Sequence, residues 1–189
     1  PKEGAELYGA GILRASDAVS QVFWRKLTLR ALFIALVTWF VRRRVKRRGG
    51  EFAMGGGAVF GALLTGTGLL PLVPMTGLAP RLGAFRVVLD VLARPFGEWD
   101  IFLSTGIHRW LPLASALPTV AFTVLFFGAK RMRPVLGGFA LGSAAYLAAM
   151  AVSGGVATPL GELLTRAFAV ANAGVCIWIA RIALDSKRA

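Results

Sequence analysis

The sequence predicts an all-α, polytopic helical membrane protein, with about five transmembrane helices, an N-terminal amphipathic helix and one interfacial helix. Three observations carry this reading. The 189 residues are 56% hydrophobic against 16% charged, with a mean hydropathy of +0.66, too apolar for an ordinary water-soluble domain. Five segments approach the roughly 20 apolar residues that a helix needs to cross about 30 Å of hydrocarbon. The 22 Lys and Arg, set against nine Asp and Glu for a formal charge of +13, lie in short runs between those segments. This composition excludes a disordered chain and a water-soluble enzyme. One His and one Cys exclude a Cys/His zinc site, a disulfide framework and a bis-His haem within the chain.

The expected organisation is an amphipathic arm over 1–26 followed by a single transmembrane domain over 27–189. In the arm, Tyr8, Ile12, Ala15, Val19, Val22 and Phe23 share one face at 100° per residue. The other face is polar but poor in charge. Such a helix suits packing against its own bundle or against a partner protein better than binding anionic headgroups alone. The first span, 27–41, is short, so its flanking cations must extend their stems to the interface. It stops at the run Arg42, Arg43, Arg44, Lys46, Arg47 and Arg48, read as an anionic-lipid contact. This run lacks interleaved aromatics and no nucleic-acid partner is expected.

The second span, 52–70, is rich in Gly, Ala and Thr and is expected to end at Pro71 and Pro74. Spans three and four, 111–129 and 134–152, are separated by four residues and should form a tight antiparallel hairpin. The fifth, 163–184, follows Pro159. Gly57 with Gly61, and Gly138 with Gly142, are spaced four apart. Small residues at that spacing let helix backbones approach closely, which marks these faces as packing interfaces, within the chain or with another one.

Cations near span ends are retained on the cytoplasmic or matrix side. Arg42 to Arg48, then Lys130, Arg131 and Arg133, and then Arg181, Lys187 and Arg188 fall on one side of a five-span chain. The expected orientation is therefore N-terminus out and C-terminus in, with Arg25, Lys26 and Arg30 arguing the other way for span one. The first 30 residues lack the pattern of a cleavable signal peptide, and the start Pro1-Lys2-Glu3 reads as one from which an initiator Met or longer targeting segment has gone. A bacterial inner membrane and an organellar, mitochondrial-type inner membrane both fit.

Between spans two and three, the interfacial segment 71–110 carries a helical stretch over 84–94. Arg86, Asp90 and Arg94 form a charged ridge along it. Asp90, Glu98, Asp100 and His108 make a candidate acidic or proton-handling cluster, with Trp99 and Trp110 at headgroup depth. In span five, Glu162, Arg166 and Asn172 form a candidate polar path, because charged and strongly polar groups inside hydrocarbon are costly and tend to be functional. Cys176 is read as a packing residue. No phosphate-binding Gly-rich loop, His-Glu-x-x-His or metal-ligand set is present, and no cofactor is predicted beyond a bound phospholipid.

Three functional classes follow. A non-catalytic, structural or accessory membrane subunit of a larger inner-membrane complex ranks first, with anionic lipids and other membrane subunits as partners. A small oligomeric channel or transporter using Arg166 and Asn172 ranks second. A lipid-modifying enzyme built on Asp90, Glu98, Asp100 and His108 ranks last.

Overall fold

A computed structural model describes residues 3–68, 88–89, 93–95, 117–128, 132–153 and 159–186. Among these the chain is all-helical, with five helices: α1 (Glu3–Arg47), α2 (Gly56–Thr67), α3 (Leu117–Gly128), α4 (Arg133–Ser153) and α5 (Pro159–Ala183). Two of them, α4 and the Glu162–Ala183 stretch of α5, are long and apolar enough to cross a membrane, with mean hydropathies of 1.8 and 1.6.

From Glu3 onward, the arm expected at 1–26 and the span expected at 27–41 lie on one unbroken helix of 45 residues, about 68 Å long at 1.5 Å per residue. The basic run expected as a hard stop does not end it. Arg and Lys are good helix formers, and cations in the last turn face the negative end of the helix dipole. The stop is instead a glycine. Gly49 adopts φ 72°, its N–H donates to Lys46 O at 3.0 Å, and Gly50 N–H donates to Val45 O at 3.1 Å. These are the two hydrogen bonds that close a helix through a left-handed residue after its last turn.

The helix expected over 52–70 is shorter, Gly56–Thr67. Its expected first residues are extended because their backbone groups are already engaged. Ala53 N–H donates to Leu184 O at 3.0 Å, Ser186 N–H donates to Glu51 O at 2.9 Å, and Phe52 pairs with Asp185 in an isolated antiparallel bridge. Gly55, with ψ 171°, is still extended, and the helix begins at the residue after it. At its other end α2 stops before Pro71 is reached, at Gly68, whose φ of 94° places the backbone under the Ala93 carbonyl where a Cβ would collide.

Helix α5 begins earlier than expected because Pro159, placed ahead of the span, occupies its first turn, where the fixed φ suits the helix and the missing N–H costs nothing. Helix α4 coincides with the expected 134–152 to within one residue at each end. For the third expected span, 111–116 lie outside the described residues. Of the stretch 84–94, the described residues show Ala93 N–H donating to Leu89 O at 2.9 Å, a hydrogen bond of helical spacing, while Arg86 and Asp90 lie outside the described residues.

Helix α4 is the centre of the bundle. Leu141, Ala140, Ala144, Ala145 and Leu147 are fully buried, and the other helices surround it. Helix α2 runs parallel to it, since Gly57 meets Val135 and Gly61 meets Phe139. A side-chain carbon on Gly138 would overlap the Ala58 carbonyl, and one on Gly142 would overlap the Ala62 carbonyl and the Thr65 hydroxyl. Thr65 Oγ1 lies 2.9 Å from Phe139 O, tying α2 to α4, and 2.8 Å from its own Gly61 O. The small-residue faces at Gly57, Gly61, Gly138 and Gly142 are thus used inside the chain, against each other. Helix α5 runs antiparallel to α4, with Ala183 and Leu184 against Gly137. Helix α1 also runs antiparallel to α4, setting Arg30 by Tyr146 and Ile34 by Gly66 of α2.

Consequently the end of α1, the start of α4 and the end of α5 meet at one end of the bundle, where Arg42 to Arg48, Arg133 and Arg181 collect. Gly50 is seated on the Asp185 carboxylate there, and Glu51 N–H donates to Asp185 Oδ1 at 3.3 Å. Lys26 and Arg30 lie toward the opposite end.

Gly138→Val and Gly142→Val are expected to lower the midpoint of thermal unfolding in detergent sharply, by about 3 kcal/mol or more in stability, since the obstacle is backbone rather than a mobile side chain. Gly174→Ala, where the added methyl meets nothing within 4 Å, should change it by no more than about 1 kcal/mol, in the stabilising direction. Thr65→Val should cost roughly 0.6 to 1.7 kcal/mol in the same measurement, the range of interhelical hydrogen bonds in membrane bundles.

Candidate functional site

The most concentrated chemistry among the described residues is on the last three turns of α1. Trp39, Arg42, Arg43, Lys46 and Arg47 recur at i, i+3, i+4, i+7 and i+8, which places them on one stripe of the helix. Val37, Val41 and Val45 form the opposite stripe and are buried against the bundle. Burying the valines therefore obliges the cations to face outward together. They line an open groove of about 500 Å³. The Arg43 guanidinium stands 5.2 Å from the centroid of the Trp39 ring, and Trp39 is itself exposed. Such a stacked pair contributes about 0.5–1 kcal/mol at an exposed site and holds the guanidinium in place.

Like charges one turn apart repel one another, and no carboxylate lines the groove among the described residues. The complement of this surface is an anion. The expected lipid contact of six cations is divided by the fold: Arg42, Arg43, Lys46 and Arg47 share the groove, whereas Arg44 is turned about 100° from Arg43 and Arg48 lies in the turn after the helix. Trp39 was not among the expected site residues. Its position four residues before Arg43 is the local signal that identifies it.

The residues of the expected polar path lie on α5. Arg166 Nη2 donates to Glu162 Oε1 one turn earlier, with both side chains partly exposed. Asn172 Nδ2 donates to its own helix at Phe168 O, 2.8 Å away. Six residues of α-helix separate Arg166 from Asn172 by about 9 Å along the axis and about 120° around it, so the two face different directions. Cys176 is buried with its Sγ 3.6 Å from Thr119 Oγ1 of α3. Asp90, Glu98, Asp100 and His108 lie outside the described residues.

Replacing Arg42, Arg43, Lys46 and Arg47 together by Gln should remove about 1 kcal/mol of attraction to an anionic surface for each cation. Measured as phosphatidylglycerol retained through detergent washing, the native protein should hold more than the quadruple variant, and the difference should narrow as salt is raised. Trp39→Ala should reduce retention by less than the loss of one cation.

Neither a protein-family model, nor a curated protein, nor a solved structure matches the chain.

Proposed function

We propose that the chain is an integral membrane protein with five membrane-crossing segments, and that it serves as a non-catalytic structural subunit of a larger inner-membrane complex. The observation that carries the membrane reading is the number of large apolar side chains on the outer surface. The interior is built largely from Ala, Gly and Val, while Leu32, Leu36 and Phe40 of α1, Phe60 and Leu63 of α2, Phe127 of α3, and Leu163, Phe168, Val170 and Trp178 of α5 point outward. A peripheral helix in water presents a polar face to solvent. Helix α5 is peripheral, with 28% of its membrane-length window buried, and is apolar on its outer side as well. An apolar surface of this extent is in place when lipid covers it.

The lengths of the helices fit this reading when the cations are included. Lys26 and Lys46 stand 20 residues apart on α1, about 30 Å, so cationic stems at both ends bracket one hydrocarbon thickness. Helices α1 and α5 run opposite to α2 and α4, which puts the larger set of cations at one end and supports the N-terminus-out, C-terminus-in orientation. Helices α2 and α3, 12 residues each as described, cover about 18 Å of that thickness.

The subunit reading is supported by α1 beyond the bundle. From Lys26 back to Glu3 the helix extends about 35 Å further. On it Val19, Val22 and Trp24 are exposed. With the small-residue faces spent inside the chain, this extension is a surface available to a partner subunit. The exposed ion pair on α5 and the divergence of Arg166 from Asn172 give no support to a transport path.

The test is the mass and protein content of the particle extracted from its native membrane in mild detergent. A large particle containing other chains is expected, with those chains lost on deletion of residues 1–24. A lone monomer or a homo-oligomer that is unchanged by the deletion would overturn the subunit reading.

A further inference from the structure

The four cations of the basic groove stand in two columns. Arg42 and Lys46 are four residues apart, as are Arg43 and Arg47, so the members of each pair are stacked about 6 Å apart along α1 and the columns are turned about 100° from each other. All four side chains are exposed. Each column holds at least one Arg, whose planar fork of donors matches two oxygens of one phosphoryl group. Trp39 stands between the columns in angle, one turn nearer the middle of α1, with the Arg43 guanidinium 5.2 Å from its ring centroid. Among the described residues, Glu51 and Asp185 are the carboxylates at this end of the bundle, and neither lines the groove.

A phosphodiester carries one negative charge, so a lipid with a single phosphate set on one column leaves the other column uncompensated. Two phosphodiesters on one molecule can occupy both, and the second binds with its translational freedom already lost to the first. We propose that the groove selects a phospholipid whose headgroup carries two phosphodiesters, one held by Arg42 and Lys46 and the other by Arg43 and Arg47. The Trp39 ring then lies against the acyl-bearing part between them. The groove volume of about 500 Å³, roughly seventeen times the share of one liquid water, holds two phosphoryl groups with part of their hydration. The lipid source rests on the membrane reading above, which puts the groove at headgroup depth, one hydrocarbon thickness along α1 from Lys26. The match of two cation columns to two phosphates does not rest on it.

Full-length protein in non-ionic detergent would be titrated with diphosphatidylglycerol and, separately, with phosphatidylglycerol at the same total phosphate, and the bound lipid read by native mass spectrometry. One diphosphatidylglycerol per chain is expected, bound about thirtyfold more tightly than one phosphatidylglycerol, from about fivefold for each of the two further cations engaged. Arg42→Gln with Lys46→Gln, or Arg43→Gln with Arg47→Gln, should each weaken diphosphatidylglycerol binding about thirtyfold and abolish its advantage. Phosphatidylglycerol can use the remaining column, so its affinity should change by less than the worth of one cation, about fivefold. Arg44→Gln with Arg48→Gln removes the same charge outside the groove and should leave the advantage in place.

Equal affinity of the unaltered protein for the two lipids, or equal weakening of both in the column variants, would reduce the groove to a diffuse positive surface and overturn the two-phosphate site. So would loss of the advantage in Arg44→Gln with Arg48→Gln. The water-soluble, deacylated headgroup of diphosphatidylglycerol separates this inference from the membrane reading. Column-dependent binding of that headgroup, with no binding of the lipid itself, would overturn the lipid source and the membrane placement it depends on while upholding the match of columns to phosphates.

Discussion

The fold depends on one close contact, the parallel approach of α2 to α4. Two glycines on α4, Gly138 and Gly142, leave space that the Ala58 and Ala62 carbonyls of α2 occupy, and the Thr65 hydroxyl reaches across to the Phe139 carbonyl. Where lipid replaces water, burying a leucine adds little, because hydrocarbon surrounds it in either case. Close packing and interhelical hydrogen bonds must then hold helices together. On the membrane reading, that requirement accounts for the many Ala and Gly residues that share the core with Leu141, Leu147 and Ile179, and for the large apolar residues outside. It also accounts for α4, which is buried on most of its surface because every neighbour can approach it closely.

The second constraint is the clasp at the basic end. The segment after α1 pairs with the residues after α5 through four backbone or side-chain hydrogen bonds that involve Glu51 and Ala53, and the Asp185 carboxylate fills the place where Gly50 has no side chain. This fixes the registers of the first and last helices against each other across most of the chain length. It also shortens α2 at its start. With α1 held there, its buried valines set the rotation of the helix, and the rotation decides which of the six cations share a groove.

The sequence made the helical class and α4 legible, because α4 is an apolar run bounded by Arg133 and Ser153. The four-residue spacing of Gly138 and Gly142 marked a packing surface, but its partner was not legible. Whether a glycine meets Ala58 of the same chain or a different chain depends on topology, not on local spacing. The continuity of α1 was hidden for a physical reason: a run of Arg and Lys ends the part of a helix that lies in hydrocarbon, but the helix itself ends where backbone geometry changes, at Gly49. Of the candidate site, the stripe from Trp39 to Arg47 follows from helical periodicity alone.

The central claim is that the apolar outer surface faces lipid hydrocarbon. Val170, near the middle of the membrane-length part of α5 and 60% exposed, is the position that decides it. On a Cys176→Ala background, a nitroxide attached at Val170→Cys in reconstituted bilayers would be compared for collision with oxygen, which concentrates in hydrocarbon, and with a water-soluble nickel chelate. The expected result is frequent collision with oxygen and little with the chelate. Ready collision with the chelate and poor access to oxygen would place this face in water and contradict the claim.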